Sequence, residues 1–166
     1  MGTRVAAMPF EELVITLTSA TQVTFKNYMD SDLLAGRAEK KVGPLDSDLA
    51  GIVSITGDYA GFVIITTDKT SAGRIAGKLL MVENPGEAYI RDALGELANT
   101  VAGVFKTRFE EQYGSVALGL PLVVSGRLQT IPGLSDAVAS SSLNLQVTIP
   151  FSTIDGAIAI TVMAYM

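Results

Sequence analysis

Two apolar runs joined by a pair of turn residues constrain this chain more than any other feature of it. Residues 49–56 and 59–67 are rich in valine, isoleucine and threonine, and Gly57-Asp58 lies between them. Runs of this kind around a two-residue glycine turn predict an antiparallel β-hairpin. Before it, Pro9, Phe10, Glu11 and Glu12 read as a helix start, and Phe10, Leu13, Leu17, Ala20, Thr24 and Tyr28 keep helical spacing to about Met29. The threonines there argue against a helix on propensity, but the apolar period argues for one and decides. A short polar strand is expected over residues 35–42, stopped by Gly43-Pro44.

After the hairpin, Asp68 or Thr70 can cap a helix with Ala72, Ile75, Ala76, Leu79 and Leu80 on one side, and Asn84-Pro85-Gly86 breaks it. The longest helix is predicted from about Glu87 to Gln112. Strands are expected over residues 120–125, 143–151 and 157–165, with a small-residue loop containing Pro132-Gly133 and Ser140 to Ser142 before the last two. The order α-β-β-β-α-α-β-β-β describes an α+β domain, an antiparallel or mixed β-sheet with helices packed on it. No linker or shift in composition divides residues 1–166, so a single domain is expected.

Two absences narrow the chemistry. The sequence has neither cysteine nor histidine. That removes disulfides, thiolate and imidazole metal sites, Ser-His and Cys-His dyads, and any general base that titrates near neutral pH. Carboxylates, amides, hydroxyls, lysines or a partner's groups must do the work. A net charge of −5 argues against nucleic acid, whose phosphates require clustered Lys and Arg. The short basic cluster Arg37 to Lys41 is interrupted by Ala38 and Glu39 and reads as a solvated face. Glu11 and Glu12 fall where a signal peptide would need its apolar core, and no apolar run reaches the ~18 residues of a membrane span. A soluble, cytoplasmic protein is expected.

On the longest helix, Leu94, Leu97, Ala98, Val101, Phe105 and Phe109 gather on one side as an apolar stripe. Asp92, Glu96, Asn99 and Gly103 fall at i, i+4, i+7 and i+11, within roughly 60° of one another and opposite that stripe. Polar residues opposite a core face are what any surface helix shows, so spacing alone does not make a site. The glycines at 95 and 103 are harder to dismiss, because each costs a helix about 1 kcal/mol relative to alanine. A glycine on the ridge lets another backbone come close; one on the flank eases packing.

The stretch Asp92-Ala93-Leu94-Gly95-Glu96-Leu97-Ala98-Asn99-Thr100-Val101-Ala102-Gly103 resembles the D/S-x3-E-x2-N-x3-G signature of the CheC/CheX/FliY phosphatases at every defined position. The text Asp-Ala-Leu-Gly-Glu-Leu-Ala-Asn is most similar to the CheX branch. Larger members of the family carry two copies of the motif, whereas here Glu11 and Glu12 are followed at the right distance by Val14 and Ile15, which leaves one copy. The chain departs from its relatives at Val104, where asparagine is common, and at Met81-Val82, where a glycine often closes the preceding helix. Val104 leans toward the buried side, so it is expected to alter packing.

The resemblance implies hydrolysis of the phospho-aspartate of a phosphorylated CheY-like response regulator. It implies that Asn99 positions the attacking water, that Glu96 engages the regulator's lysine, and that Asp92 and Gly103 support the contact. It implies no cofactor of the protein's own, with Mg2+ supplied by the regulator, and a homodimer through a sheet edge, for which the apolar final strand is the expected edge. A non-catalytic module of the same fold, docking a response regulator or a flagellar switch component, is the alternative. Three other signals are set aside. Gly73 to Lys78 is one residue short of a phosphate-binding loop and has helical spacing. Ser140 to Ser142 has no base near it in sequence. Asp58 and Asp68 are explained by turn and cap duties.

Overall fold

Among the described residues, seven antiparallel strands form one sheet, and three helices pack together on one of its faces. The elements run α1 (Phe10–Met29), β1 (Leu33–Ala35), β2 (Leu45–Gly57), β3 (Gly61–Thr67), α2 (Lys69–Leu80), α3 (Glu87–Glu110), β4 (Val116–Leu118), β5 (Leu122–Leu128), β6 (Gln146–Thr153) and β7 (Ala159–Tyr165). The protein is seen in a computed structural model that describes residues 8–43, 45–128 and 145–166. The strand order is β1-β6-β7-β3-β2, and the outer side of β2 carries β4 and β5 in line.

The architecture is the expected α+β one with an antiparallel sheet, and it has one strand more than the expected order. Three residues are too few to show a period, so β4 gave no signal in sequence. It exists because β2 runs on past its pairing with β3: Ile55 pairs with Gly61, but Thr56 and Gly57 continue and pair with Ala117 and Val116. The hairpin turn is correspondingly longer than Gly57-Asp58. Asp58 serves that turn, its Oδ2 accepting the Ser115 N–H at 2.8 Å.

Two expectations are corrected. The first strand lies over Leu33–Ala35 rather than 35–42. Its partner in β6 explains the stop: Gly36 N–H donates to Pro150 O at 2.7 Å, but Pro150 has no N–H to return, so the ladder ends and only an isolated Glu39–Thr148 bridge follows. The exposed residues Arg37 and Glu39 to Lys41 then form the solvated face expected of the basic cluster. The second correction concerns the final strand. β7 is not an edge; it pairs with β6 on one side and β3 on the other. Its near-continuous apolar text reflects an interior position, where both edges are paired and Ile160, Val162 and Ala164 are buried.

Smaller shifts in strand limits follow from tertiary pairing, with β5 reaching Leu128 and β6 and β7 beginning at Gln146 and Ala159. The expected loop features Pro132-Gly133 and Ser140 to Ser142 lie outside the described residues. Within α1 the pattern prevailed over propensity because Thr21 and Thr24 are buried with their hydroxyls donating to Leu17 O and Ala20 O, both at 2.8 Å. In α2, Asp68 is the N-cap, accepting the Ser71 N–H at 2.7 Å, and the segment 73–78 is helix as expected. Met81 closes α2 in the left-handed conformation, φ 52°, where a side chain costs about 1 kcal/mol more than glycine.

The core lies between the sheet and the helices. Phe105 and Phe109 are fully buried, and Phe109 stacks with Phe105 and packs against Tyr113 and Tyr59 at 5.3 to 5.8 Å between ring centres. Truncating a side chain of this kind to alanine costs on the order of 3–5 kcal/mol. This cluster fixes the C-terminal half of α3 on the sheet.

Candidate active site

α3 is held on nearly every side. Ala93, Leu94, Leu97, Ala98, Val101, Ala102, Phe105 and Phe109 are buried. The helix crosses β2 at Gly51, where an added Cβ would stand 3.0 Å from Ala98 Cβ and 3.1 Å from Leu94 O. A side chain there would press α3 outward by a few tenths of an ångström, and glycine lets it lie close on the sheet. α1 and α2 pack on the same helix. Its last turn is tied by the Arg108 guanidinium donating to Ser19 Oγ and by the Tyr113 hydroxyl donating to Glu12. Glu110 accepts from Lys106 Nζ and from the Val116 N–H, both at 2.8 Å, and these bonds hold its carboxyl below the usual glutamate range. Apart from the Lys106–Glu110 pair, four residues apart on the helix, these ties could not be read from sequence.

What remains uncovered is a narrow ridge. Asp92 and Glu96 are exposed, and Asn99 and Gly103 are half-buried beside them. All four share the face predicted from spacing. Two threonines steady the backbone under the ridge: Thr100 Oγ1 donates to Glu96 O at 2.8 Å, and Thr107 Oγ1 donates to Gly103 O at 3.1 Å. Neither was singled out in the sequence. The side chains of Asp92, Glu96 and Asn99 form no hydrogen bond or ion pair among the described residues.

The two glycines divide as their positions on the wheel suggest. A Cβ at Gly103 would meet nothing within 4 Å, so the ridge is open above it. A Cβ at Gly95 would stand 3.4 Å from Val123 Cγ2 and 3.8 Å from Pro121 Cβ, in ordinary contact, so this glycine faces the Pro121–Val123 segment. Val104 is partly buried against the core, as expected of a packing position. Tyr89, which the sequence reading passed over, lies a turn before Asp92 and is exposed.

The ridge is convex. The main groove among the described residues is elsewhere, lined by Asp46, Asp48, Asp68, Thr66 and Thr161 among others, and it includes none of the four ridge residues. A protruding amide and carboxylate one turn apart cannot enclose a small substrate. They can enter a cleft on another protein. Among the described residues no three acidic side chains gather as a metal site, and no helix is long and apolar enough to cross a membrane.

No curated protein matches the sequence. Among solved structures, the chain is similar to a chemotaxis protein CheX from Desulfovibrio desulfuricans, with 19% identity and a TM-score of 0.73 over 92% of this chain and 97% of that one. It is also similar to a CheC-like superfamily protein from Shewanella sp. PV-4, with 25% identity and a TM-score of 0.72 over 92% and 95%. The CheX–CheY–BeF3–Mg2+ complex from Borrelia burgdorferi matches with 19% identity and a TM-score of 0.69 over 98% of both chains. A family model described as chemotaxis phosphatase CheX matches residues 49–152. That span takes in the β2–β3 hairpin, α2, all of α3 with its ridge, and most of β6, and by it the chain belongs to the CheX family of chemotaxis phosphatases.

Proposed function

We propose that this protein hydrolyses the phospho-aspartate of a phosphorylated CheY-type receiver domain, with Glu96 and Asn99 as the residues that enter the receiver's site. The observation that carries the reading is the pair itself: a carboxylate and an amide with no partner among the described residues, one turn apart, on the ridge of a helix anchored on its other sides. The CheX of the Borrelia complex is bound to CheY with BeF3 and Mg2+. This chain shares its fold.

A phospho-aspartate is an acyl phosphate, and its hydrolysis requires little beyond an in-line water and stabilised charge. The Asn99 amide suits the first task because its Oδ1 can accept a hydrogen bond from the water while its NH2 donates. Water oxygen attacks phosphorus, the bond from phosphorus to the aspartyl oxygen breaks, and the carboxylate and inorganic phosphate are released. Glu96 forms a charge-assisted bond to the lysine of the receiver site, which sets register and frees that lysine from the phosphoryl group. Magnesium belongs to the receiver, where it offsets phosphoryl charge. Asp92 stands at the edge of the contact, and the open space over Gly103 admits the partner's backbone.

The test is loss of phosphate from a phosphorylated receiver domain with magnesium present. Wild-type protein is expected to accelerate it, and Asn99→Ala or Glu96→Ala to remove on the order of 10²-fold or more of that acceleration while the melting temperature holds. Full activity in the Asn99 variant rules out its role. Retained binding with no acceleration by wild type would leave a docking module. The same reading includes a homodimer through a sheet edge. With β7 enclosed, the outer side of β5, which pairs with no other strand among the described residues, is the edge to extend, and sedimentation equilibrium reads it, a monomer at micromolar concentration counting against it.

A further inference from the structure

β4 and β5 make one line along the outer side of β2, and a bulge breaks it. Leu118 pairs with Ile55 and Leu122 with Ile52. Gly119, Leu120 and Pro121 therefore oppose only Val53 and Ser54, one residue more than the ladder holds. Gly119 N–H donates to Ser54 O at 2.9 Å, which ties the chain to β2 as it enters the bulge, and a Cβ on Gly119 would displace the Ser54 hydroxyl from its present position. That leaves Leu120 and Pro121 together opposite Val53, which is fully buried under the helices. Bulges re-aim side chains and occur beside active sites more often than elsewhere in sheets.

This bulge lies against the ridge. Pro121 and Val123 are the side chains that fill the space over Gly95, between Asp92 and Glu96 and one turn from Asn99. Leu120, beside them, is 92% exposed. A lone exposed leucine needs no explanation. This one is held out on a support fixed on both sides: a backbone bond at Gly119, a proline of locked φ at 121, and strand pairing from Leu122 onward. An apolar group held so rigidly loses little conformational freedom when something packs on it.

We infer that Leu120 is a docking contact for the receiver domain, packing on an apolar patch beside the partner's phosphorylated aspartate. The inference rests on the reading of the ridge given above, because a body as large as a receiver domain seated on Glu96 and Asn99 extends over the adjoining bulge. Leu120 then sets affinity and takes no part in bond breaking, which is the work of the ridge.

Binding and turnover are measured separately for wild type, Leu120→Asp and the control Ile15→Asp. Ile15 is also exposed and apolar, but lies in the groove between α1 and residues 35–38. CheY-type receiver domains from the genome that encodes this chain, activated with beryllofluoride and magnesium, are the binding probe. Leu120→Asp is expected to weaken binding, and to raise KM, by ~10-fold or more with kcat within about twofold. Ile15→Asp leaves both unchanged. Unchanged binding in Leu120→Asp, or a fall in kcat at unchanged affinity, overturns the inference while the activity of wild type stands. A wild type that binds without accelerating hydrolysis, and that Leu120→Asp weakens, upholds the docking contact and removes the catalytic reading. A wild type that binds no receiver overturns both.

Discussion

α1 and α3 lie on the same face of the same sheet, and both show polar residues opposite a buried stripe, yet their polar side chains have different fates. On α1 several polar side chains, two threonines of the buried stripe among them, are bonded inside the molecule. Thr21 and Thr24 bond their own helix, Gln22 Nε2 donates to Leu33 O at 3.0 Å, Ser19 accepts from Arg108, and Glu12 accepts from Tyr113. On the ridge of α3, Asp92, Glu96 and Asn99 have no such partners among the described residues. The wheel cannot tell these cases apart; following each donor and acceptor to its partner can. A polar group with a partner in the fold belongs to the fold, and one left without on a rigid support is available to another molecule.

The comparison breaks if a change on the ridge behaves like a change on α1. Gly103→Leu is expected to cost at least ~10-fold in phosphatase activity while leaving the melting temperature equal or higher. Space is open around a Cβ there, and leucine gains about 1 kcal/mol of helix propensity over glycine. Activity at the wild-type level would mean that no partner backbone needs the gap. Gln22→Ala is the smaller, opposite case. Losing its bond to the β1 backbone is expected to cost about 1 kcal/mol, a drop of roughly 2–4 °C in melting temperature, with activity unchanged. If Gln22→Ala instead lowered activity at constant stability, the division of labour between the two helices would be wrong.

Much of this was legible in the residues. α1, the β2–β3 pair, α2 and α3 are strongly periodic or sharply capped, and the ridge residues stand where spacing put them. The failures share a cause. β4, the limits of β1 and the interior place of β7 are decided by which strand comes to lie beside which. β4 exists only because β2 overruns its hairpin, and β1 ends only because Pro150, far along the chain, lies opposite it. The bulge at Leu120 was hidden for the same reason, since an extra residue is extra only relative to a partner strand. At Met81 local preference was overruled outright, with a methionine taking the backbone conformation that glycine adopts most easily.

The enclosure of β7 also bears on how the chain reaches this structure. The Thr67 hydroxyl donates to Ala159 O at 2.7 Å, across 92 residues of sequence. Contacts so distant form late and make folding slow, on the scale of milliseconds to seconds rather than microseconds. A chain emerging from the ribosome therefore carries the β2–β3 hairpin with the far side of β3 bare until the last strand has been made. During that interval the backbone donors and acceptors of residues 62–67 that face β7 are unpaired, and two nascent chains on one message could join there in place of their own β7. The order of strands in the sheet thus sets a period in synthesis when this protein is most open to aggregation.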